Sequence, residues 1–423
     1  MKFAFFTLGC KVNLFETQAL SQLAQARGHE IVDKDADAVI VNTCTVTSVS
    51  DHKNIRAFHK LRRDNPNAVI AACGCFAQTD PERVRATGEI DLICGTRDRA
   101  QVIDLCEQAV SGQAVQVHES EDSGFETLPA GIPHGRTRAL LKIEDGCNNF
   151  CTYCIIPFAR GRVLSLPEDR CAAEAASLAA QGYKEIVVTG IEIASWGKNL
   201  KNGKTLIDAL EAVAAGAPGA RIHLGSLEPT VVTDSFVERL KKLNVCPHFH
   251  LSMQSGCDET LARMRRKYTT AEFFAVTERL RAAFPGCALT TDLITGFPGE
   301  TEEEFSRTLA FIEKCAFAQM HVFPYSIRPG TKAAGMPGQI EKSEKAARAA
   351  RAAHIAERMQ REYLTSCVGK TLEVIFETES DGESRGHAEN YTEVAVPGDM
   401  PHGVVRKVKI TGVRGEMLVG TAL

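Results

Sequence analysis

Cys147, Cys151 and Cys154 stand in Glu144-Asp-Gly-Cys-Asn-Asn-Phe-Cys-Thr-Tyr-Cys-Ile-Ile-Pro157, a C-x3-C-x2-C spacing. Three thiolates this close suit three irons of a cubane iron-sulfur cluster, and no fourth cysteine follows at a comparable spacing. One iron then stays open to a cofactor. The competing chemistry is structural zinc, but zinc sites are usually closed by four N or S ligands in paired knuckles. A second set is dispersed: Cys10 in Thr7-Leu-Gly-Cys-Lys-Val-Asn13, Cys44 in Val41-Asn-Thr-Cys-Thr-Val-Thr47, and Cys75 in Ala72-Cys-Gly-Cys-Phe-Ala-Gln78. Each follows a short apolar run. In parallel α/β folds the loops after the strands' carboxyl ends gather on one edge, so these cysteines are expected to meet as a second three-cysteine site. Cys73 competes with Cys75 because both flank Gly74, and Cys94 in Ile-Cys-Gly-Thr is a further option.

The elements that must position these thiols follow from periodicity. Residues 1–120 alternate helical stretches with runs at 2–7, 38–42, 68–72 and 91–93, a parallel α/β pattern. Residues 121–138 carry turn formers without a hydrophobic period and read as a linker, with Arg136 and Arg138 as solvated surface or phosphate contacts. Residues 139–340 hold six runs, at 139–143, 185–189, 221–225, 248–252, 288–293 and 319–324. Helices join them, so a partial (β/α)6 barrel with its site at the strands' carboxyl ends is expected. Residues 341–365 read as a connecting helix with mostly solvated charges, and 366–423 as a small antiparallel β-barrel.

Polar groups cluster at the expected barrel mouth: Gly190, Glu228, Gln254, Asp292 and Gly296, although Glu228 or Asp292 would serve equally as a helix cap or ion-pair partner. Arg263, Arg265, Arg266 and Lys267, with Tyr268, suit phosphates and a base face; a solvated helix face is the alternative. The chain has 423 residues, fifteen cysteines and a net charge of -4. No run of eighteen apolar residues exists, and the N-terminal run is too short for a signal peptide, so a soluble, cytoplasmic protein without a membrane partner is expected. Fifteen cysteines in that compartment argue for metal or catalytic thiolates rather than disulfides. The charge excludes an all-over basic nucleic-acid binder but leaves room for local patches.

Leu8-Gly-Cys-Lys-Val-Asn13 with Glu16, Asn42-Thr-Cys-Thr-Val-Thr47 and Gly74-Cys-Phe-Ala-Gln78, followed by the C-x3-C-x2-C motif with Tyr153 before its third cysteine, resemble the ordered motifs of the radical S-adenosylmethionine (SAM) methylthiotransferases. The resemblance selects Cys75 over Cys73. It implies two 4Fe-4S clusters, one on Cys147, Cys151 and Cys154 that cleaves SAM to a 5′-deoxyadenosyl radical, and one on Cys10, Cys44 and Cys75 that carries or donates sulfur. A second SAM would supply the methyl group. It also implies a SAM site near Tyr153 and Asp292, with Gly190 near the amino group, Glu228 and Gln254 near ribose or carboxylate, and Gly296 near adenine. Lys11-Val-Asn13 resembles the branch acting on threonylcarbamoyladenosine in tRNA; the isopentenyladenosine and ribosomal-protein branches are the alternatives. The terminal barrel resembles the TRAM RNA-binding module, with Arg406, Lys407 and Lys409 as phosphate contacts. The implied partners are a tRNA anticodon loop, which presents an unpaired base, and a reductant such as flavodoxin or ferredoxin, with the protein a monomer. A non-catalytic iron-sulfur RNA-binding protein is the reading from another functional class.

Overall fold

Five short apolar runs, β1 (Lys2–Thr7), β2 (Glu30–Ile31), β3 (Ala38–Thr43), β4 (Val69–Gly74) and β5 (Leu92–Ile93), line up as one parallel sheet in the order β2-β1-β3-β4-β5. This is a computed structural model, and it describes residues 1–115, 124–130, 137–380 and 382–423. β3 is buried at every residue, as a strand must be when both faces of a parallel sheet are covered. β1, β3 and β4 are neighbours, so their carboxyl ends stand side by side at the ~5 Å strand spacing. The helices α1 (Lys11–Ala26), α2 (Ser48–Asp64) and α3 (Cys75–Thr79) start just beyond those ends.

The next strands are β6 (Arg138–Lys142), the short β7 (Glu144–Asp145) and β8 (Leu164–Ser165), then β9 (Glu185–Thr189), β10 (Arg221–Leu224), β11 (His248–Gln254), β12 (Ala288–Thr295) and β13 (Gln319–Pro324). β6, β9 and β10 form one parallel sheet and β11, β12 and β13 another. Backbone bonds from Leu227 N–H to His250 O (2.8 Å) and Ser252 N–H to Leu227 O (3.0 Å) stitch the two, giving six strands in chain order as a partial barrel. Its apolar core includes the buried Trp196, Phe249, Phe273 and Phe305.

The last five strands, β14 (Thr371–Ser380), β15 (Glu383–Ala388), β16 (Glu393–Pro397), β17 (Val405–Arg414) and β18 (Met417–Ala422), close a small barrel in the order β14-β15-β16-β18-β17. One pair, β16 with β18, runs parallel, which the expected all-antiparallel arrangement lacks. Three further expectations need correction. The described part of the expected linker, 124–130, packs down: Leu128 and Ala130 are buried in the central core and Glu126 pairs with Arg99 at 2.5 Å. Arg138 is not phosphate-facing surface; it pairs with Glu377 at 3.0 Å and lies over the Tyr391 ring. Arg136 lies outside the described residues. The long helix is Lys342–Cys367, and two of its charges are buried rather than solvated: Arg348 pairs with Glu300 at 2.9 Å, and Lys345 reaches the Tyr325 carbonyl at 3.3 Å. Among the described residues no helix is long and apolar enough to cross a membrane.

Candidate active site

Cys10 caps the start of α1, Cys44 follows β3, and Cys75 opens α3, so three adjacent strand ends deliver three thiols to one place. A Cβ on Gly9 would lie 3.0 Å from the Cys44 Cβ. Burial pushes the Cys75 thiol up to about 11, against the pull of Arg160, while Cys10 and Cys44 add repulsion. Asn13 ties the loops together: its Nδ2 donates to Leu8 O (3.0 Å), Asn42 Oδ1 (3.1 Å) and Thr43 O (2.9 Å), and its Oδ1 accepts from Cys10 Sγ at 3.4 Å. Gly74 is demanded by this packing: at φ +92° an added Cβ would sit 2.3 Å from Asn42 Oδ1 and 2.6 Å from Thr43 O. The neighbouring candidate, Cys73, faces the other way, into the core with Cys94 and Cys106 beneath helix Gln101–Val110.

The second triad occupies the loop between β7 and β8, which pair antiparallel and pinch its ends together. Gly146 permits that closure, since a Cβ there would meet Arg162 O at 2.1 Å at φ +79°. Burial raises the Cys147 and Cys154 thiols to about 12; Asn149 N–H pulls back on Cys147, to whose Sγ it donates at 3.4 Å. The helix that follows Cys154 ends at Arg160, whose Nε bonds Cys75 Sγ at 3.2 Å, so the second triad's loop lies against the first triad. The donor sets fit iron-sulfur ligation: each triad offers three mutually repelling sulfurs, which cationic irons relieve, and each has an arginine hydrogen-bonded to one sulfur. Arg160 Nε donates to Cys75 Sγ at 3.2 Å, and Arg266 Nη1 to Cys151 Sγ at 3.3 Å.

Beside the second triad lies a cleft of about 320 Å³ whose walls include Thr47, Tyr153, Cys154, Gln254, Asp292 and Tyr325. It thus gathers three of the polar or aromatic residues expected at a SAM site, together with a residue from the Cys44 loop. Burial opposes the charge on Asp292, but hydrogen bonds from His250 and His321, both at 3.3 Å, outweigh it and keep the carboxyl well below its ordinary range. Glu228 takes the ion-pair alternative: it meets Arg266 at 2.5 Å. Gly190 packs against Glu144, where a Cβ would lie 2.8 Å from Oε2. Gly296 is closed off instead of open to a ligand, because a Cβ there would overlap Lys345 Cγ at 2.2 Å and its N–H is bound to Glu300 Oε2 at 2.7 Å.

The four cations expected to form one patch are split. Arg263 is held by Glu304 at 2.6 Å, Arg266 is turned inward, and Lys267 reaches Asn149 Oδ1 at 2.8 Å; Arg265 and Lys267 are exposed. Sequence reasoning missed Glu192 and Arg328. Burial and the neighbouring Glu228 raise the Glu192 carboxyl to about 7; its Oε2 accepts from Asn149 Nδ2 at 3.2 Å, and its buried Oε1 is left without a partner. An orphaned acceptor beside the cysteine loop suits a ligand's amino group. Arg328, from the loop after β13, is buried and reaches across to Asp51 at 2.7 Å, clasping the Cys44 loop.

A line of hydrogen bonds runs inside the barrel beneath the mouth. Glu185 accepts from His223 (3.0 Å), and contacts continue from His223 to His248 (2.7 Å), to Thr290 (3.1 Å), to His250 (3.0 Å) and to Asp292. Tyr391, from the terminal barrel, packs on both His223 and His248.

A cysteine triad in the mouth of a partial (β/α)6 barrel defines the class as radical SAM, and the family model for the radical SAM superfamily matches residues 141–312. The model described as uncharacterized protein family UPF0004 matches 2–95. The chain is 40% identical to threonylcarbamoyladenosine tRNA methylthiotransferase MtaB of Bacillus subtilis, covering 96% of this chain and 93% of the relative. It is 35% identical to tRNA-2-methylthio-N(6)-dimethylallyladenosine synthase of Mycolicibacterium smegmatis, covering 90% and 77%. Among solved structures, the radical SAM methyltransferase TsrM of Kitasatospora setae shares the fold with a TM-score of 0.58 at 14% identity, covering 91% of this chain and 77% of that one. This chain belongs to the radical SAM methylthiotransferase family, whose enzymes work with 4Fe-4S clusters and SAM.

Proposed function

We propose that this enzyme methylthiolates C2 of threonylcarbamoyladenosine beside the anticodon of tRNA. The observation that carries the reading is the bond from Arg160 Nε, six residues after Cys154, to Cys75 Sγ at 3.2 Å, which sets the loop of one cysteine triad against the other triad. Cys147, Cys151 and Cys154 would hold the SAM-cleaving cluster, and Cys10, Cys44 and Cys75 the sulfur-carrying one. When bound, these groups supply the radical, the sulfur and the methyl group that side-chain acids and bases cannot. The chain's own residues bind and orient. Glu192, with its free Oε1, suits the amino group of SAM, and Tyr153, Gln254 and Asp292 line the cleft beside it.

The name of the Bacillus relative and Lys11-Val-Asn13 support the threonylcarbamoyl branch. The name of the Mycolicibacterium relative keeps isopentenyladenosine as the second reading. The exposed Arg265 and Lys267 near the mouth, and Arg406, Lys407 and Lys409 on the terminal barrel, would meet phosphates of the anticodon loop. A small flavoprotein or ferredoxin as electron donor, a cytoplasmic location and a monomeric state complete the proposal. The test is mass spectrometry of tRNA nucleosides from a strain lacking the protein. Loss of 2-methylthio-threonylcarbamoyladenosine is expected; loss of the isopentenyl derivative instead would reject the branch.

A further inference from the structure

Arg160 stands six residues after Cys154, at the end of helix Ile156–Arg160, and its side chain is wholly buried at the junction of the two cysteine loops. Its guanidinium is fully engaged. Nε donates to Cys75 Sγ at 3.2 Å, Nη1 to Glu16 and to Asp145 (3.3 Å), and Nη2 to Asn13 Oδ1 (3.0 Å) and Glu16 Oε2 (3.2 Å). Through Asn13 it also bears on Cys10, whose Sγ donates to the same oxygen. Glu16 is the counterweight, a buried carboxylate shared by Arg160, Arg99 (3.1 Å) and Lys142 (3.1 Å). Asp145 and Glu126 balance the rest, so Arg160, Arg99 and Lys142 face Glu16, Asp145 and Glu126 as three charges against three. A structural anchor needs no contact with a thiol. This one donates a charged N–H to a sulfur of the opposite triad, out of water, where a single charge acts strongly.

We propose that Arg160 is a positioning residue through which the loop holding one cluster sets the reduction potential of the other. The inference rests on the assignment of Cys10, Cys44 and Cys75 as cluster ligands. A cation donating to a ligand sulfur favours the more negative, reduced state of a cluster, since net charge and hydrogen bonds to sulfur set its potential. The self-neutral network then makes opposite changes act with opposite sign. Arg160→Gln removes the positive charge beside Cys75 and lowers the potential. Glu16→Gln removes the compensating negative charge and raises it. Arg160→Lys keeps the charge, without the fork that bridges Cys75 and Asn13, and restores most of the potential lost in Arg160→Gln.

The experiment uses the full chain carrying Cys147→Ala, Cys151→Ala and Cys154→Ala, anaerobically reconstituted so that the N-terminal cluster is the only one, with about four irons per chain. Its potential is read by redox titration followed by electron paramagnetic resonance. A downward shift in Arg160→Gln, an upward shift in Glu16→Gln and rescue in Arg160→Lys are expected. Unchanged potentials, or shifts of the same sign, with iron content intact overturn the inference. Should Arg160→Gln fail to fold, Glu16→Gln decides alone: an upward shift supports the inference, and none overturns it. Absence of iron in the parent triple variant overturns the ligand assignment itself, and the inference falls with it.

Discussion

Replacing Glu185 with glutamine removes one charge from the buried line of polar groups beneath the active-site mouth while keeping the side chain's shape. Glu185 pairs with Arg221 at 2.7 Å and accepts from His223 at 3.0 Å, and both partners are buried. Burial opposes its ionisation, but the His223 hydrogen bond and the Arg221 charge prevail and hold the carboxyl at about 2, against an ordinary 4.5. At 1.36 kcal/mol per pKa unit, that difference contributes about 3 kcal/mol of stability at neutral pH. Because the folded value is depressed, the contribution is present above pH ~4.5 and is lost as pH falls toward ~2. An independent route agrees: removing one partner of a buried ion pair costs ~3–5 kcal/mol. Arg221 also donates to Glu373 O (3.0 Å) and His387 O (3.2 Å), so the loss extends to the docking of the terminal barrel. The assay is urea unfolding of the full chain, read by fluorescence of Trp196, the single tryptophan, buried in the central core. Glu185→Gln should lower the midpoint by about 1 M. A loss below about 1 kcal/mol, or an equal loss at pH 3 and pH 7, would refute the reasoning.

Gly74→Ala should displace Cys75, because the new methyl would lie 2.3 Å from Asn42 Oδ1. Iron after anaerobic reconstitution then falls from about eight toward about four per chain, and retention of eight would contradict the packing argument. Arg328→Ala leaves Asp51 buried without its closest cation, at ~3 kcal/mol, and should speed amide exchange across residues 45–52; unchanged exchange would remove the clasp. Arg265→Ala and Lys267→Ala together should weaken tRNA retention and flatten its salt dependence by ~0.7 per lost contact, with SAM cleavage untouched. Arg266→Ala should do the reverse, since it sits on Cys151; a pure tRNA-binding defect in that variant would refute its inward placement.

The strands that carry chemistry were legible from their apolar runs: β1, β9 and β13 match the expected spans at both ends. β15 was harder to see. Its Glu-Ser-Arg-Gly-His-Ala alternates without apolar contrast, since ladders on both sides rather than its side chains hold it in place. The parallel β16–β18 pair is a product of barrel closure, which no local pattern encodes. At the site, periodicity left Cys73 and Cys75 open and the family resemblance chose Cys75; the structure sets Cys75 at the start of α3 and Cys73 in the core with Cys94 and Cys106. Arg160 with Glu16 and Arg328 with Asp51 join residues 144 and 277 positions apart, and charge pairing at such separations leaves no sequence period. Gly296 misled for the same reason: the Lys345 stem that fills its space arrives from a helix 49 residues later.

The division of labour between the two triads is tested most directly by replacing Cys10, Cys44 and Cys75 together with alanine and assaying 5′-deoxyadenosine and tRNA nucleosides in one reaction. The account predicts that SAM cleavage persists with about four irons per chain while no methylthiolated adenosine forms. Methylthiolated product from that variant, or SAM cleavage surviving Cys147→Ala, would contradict it.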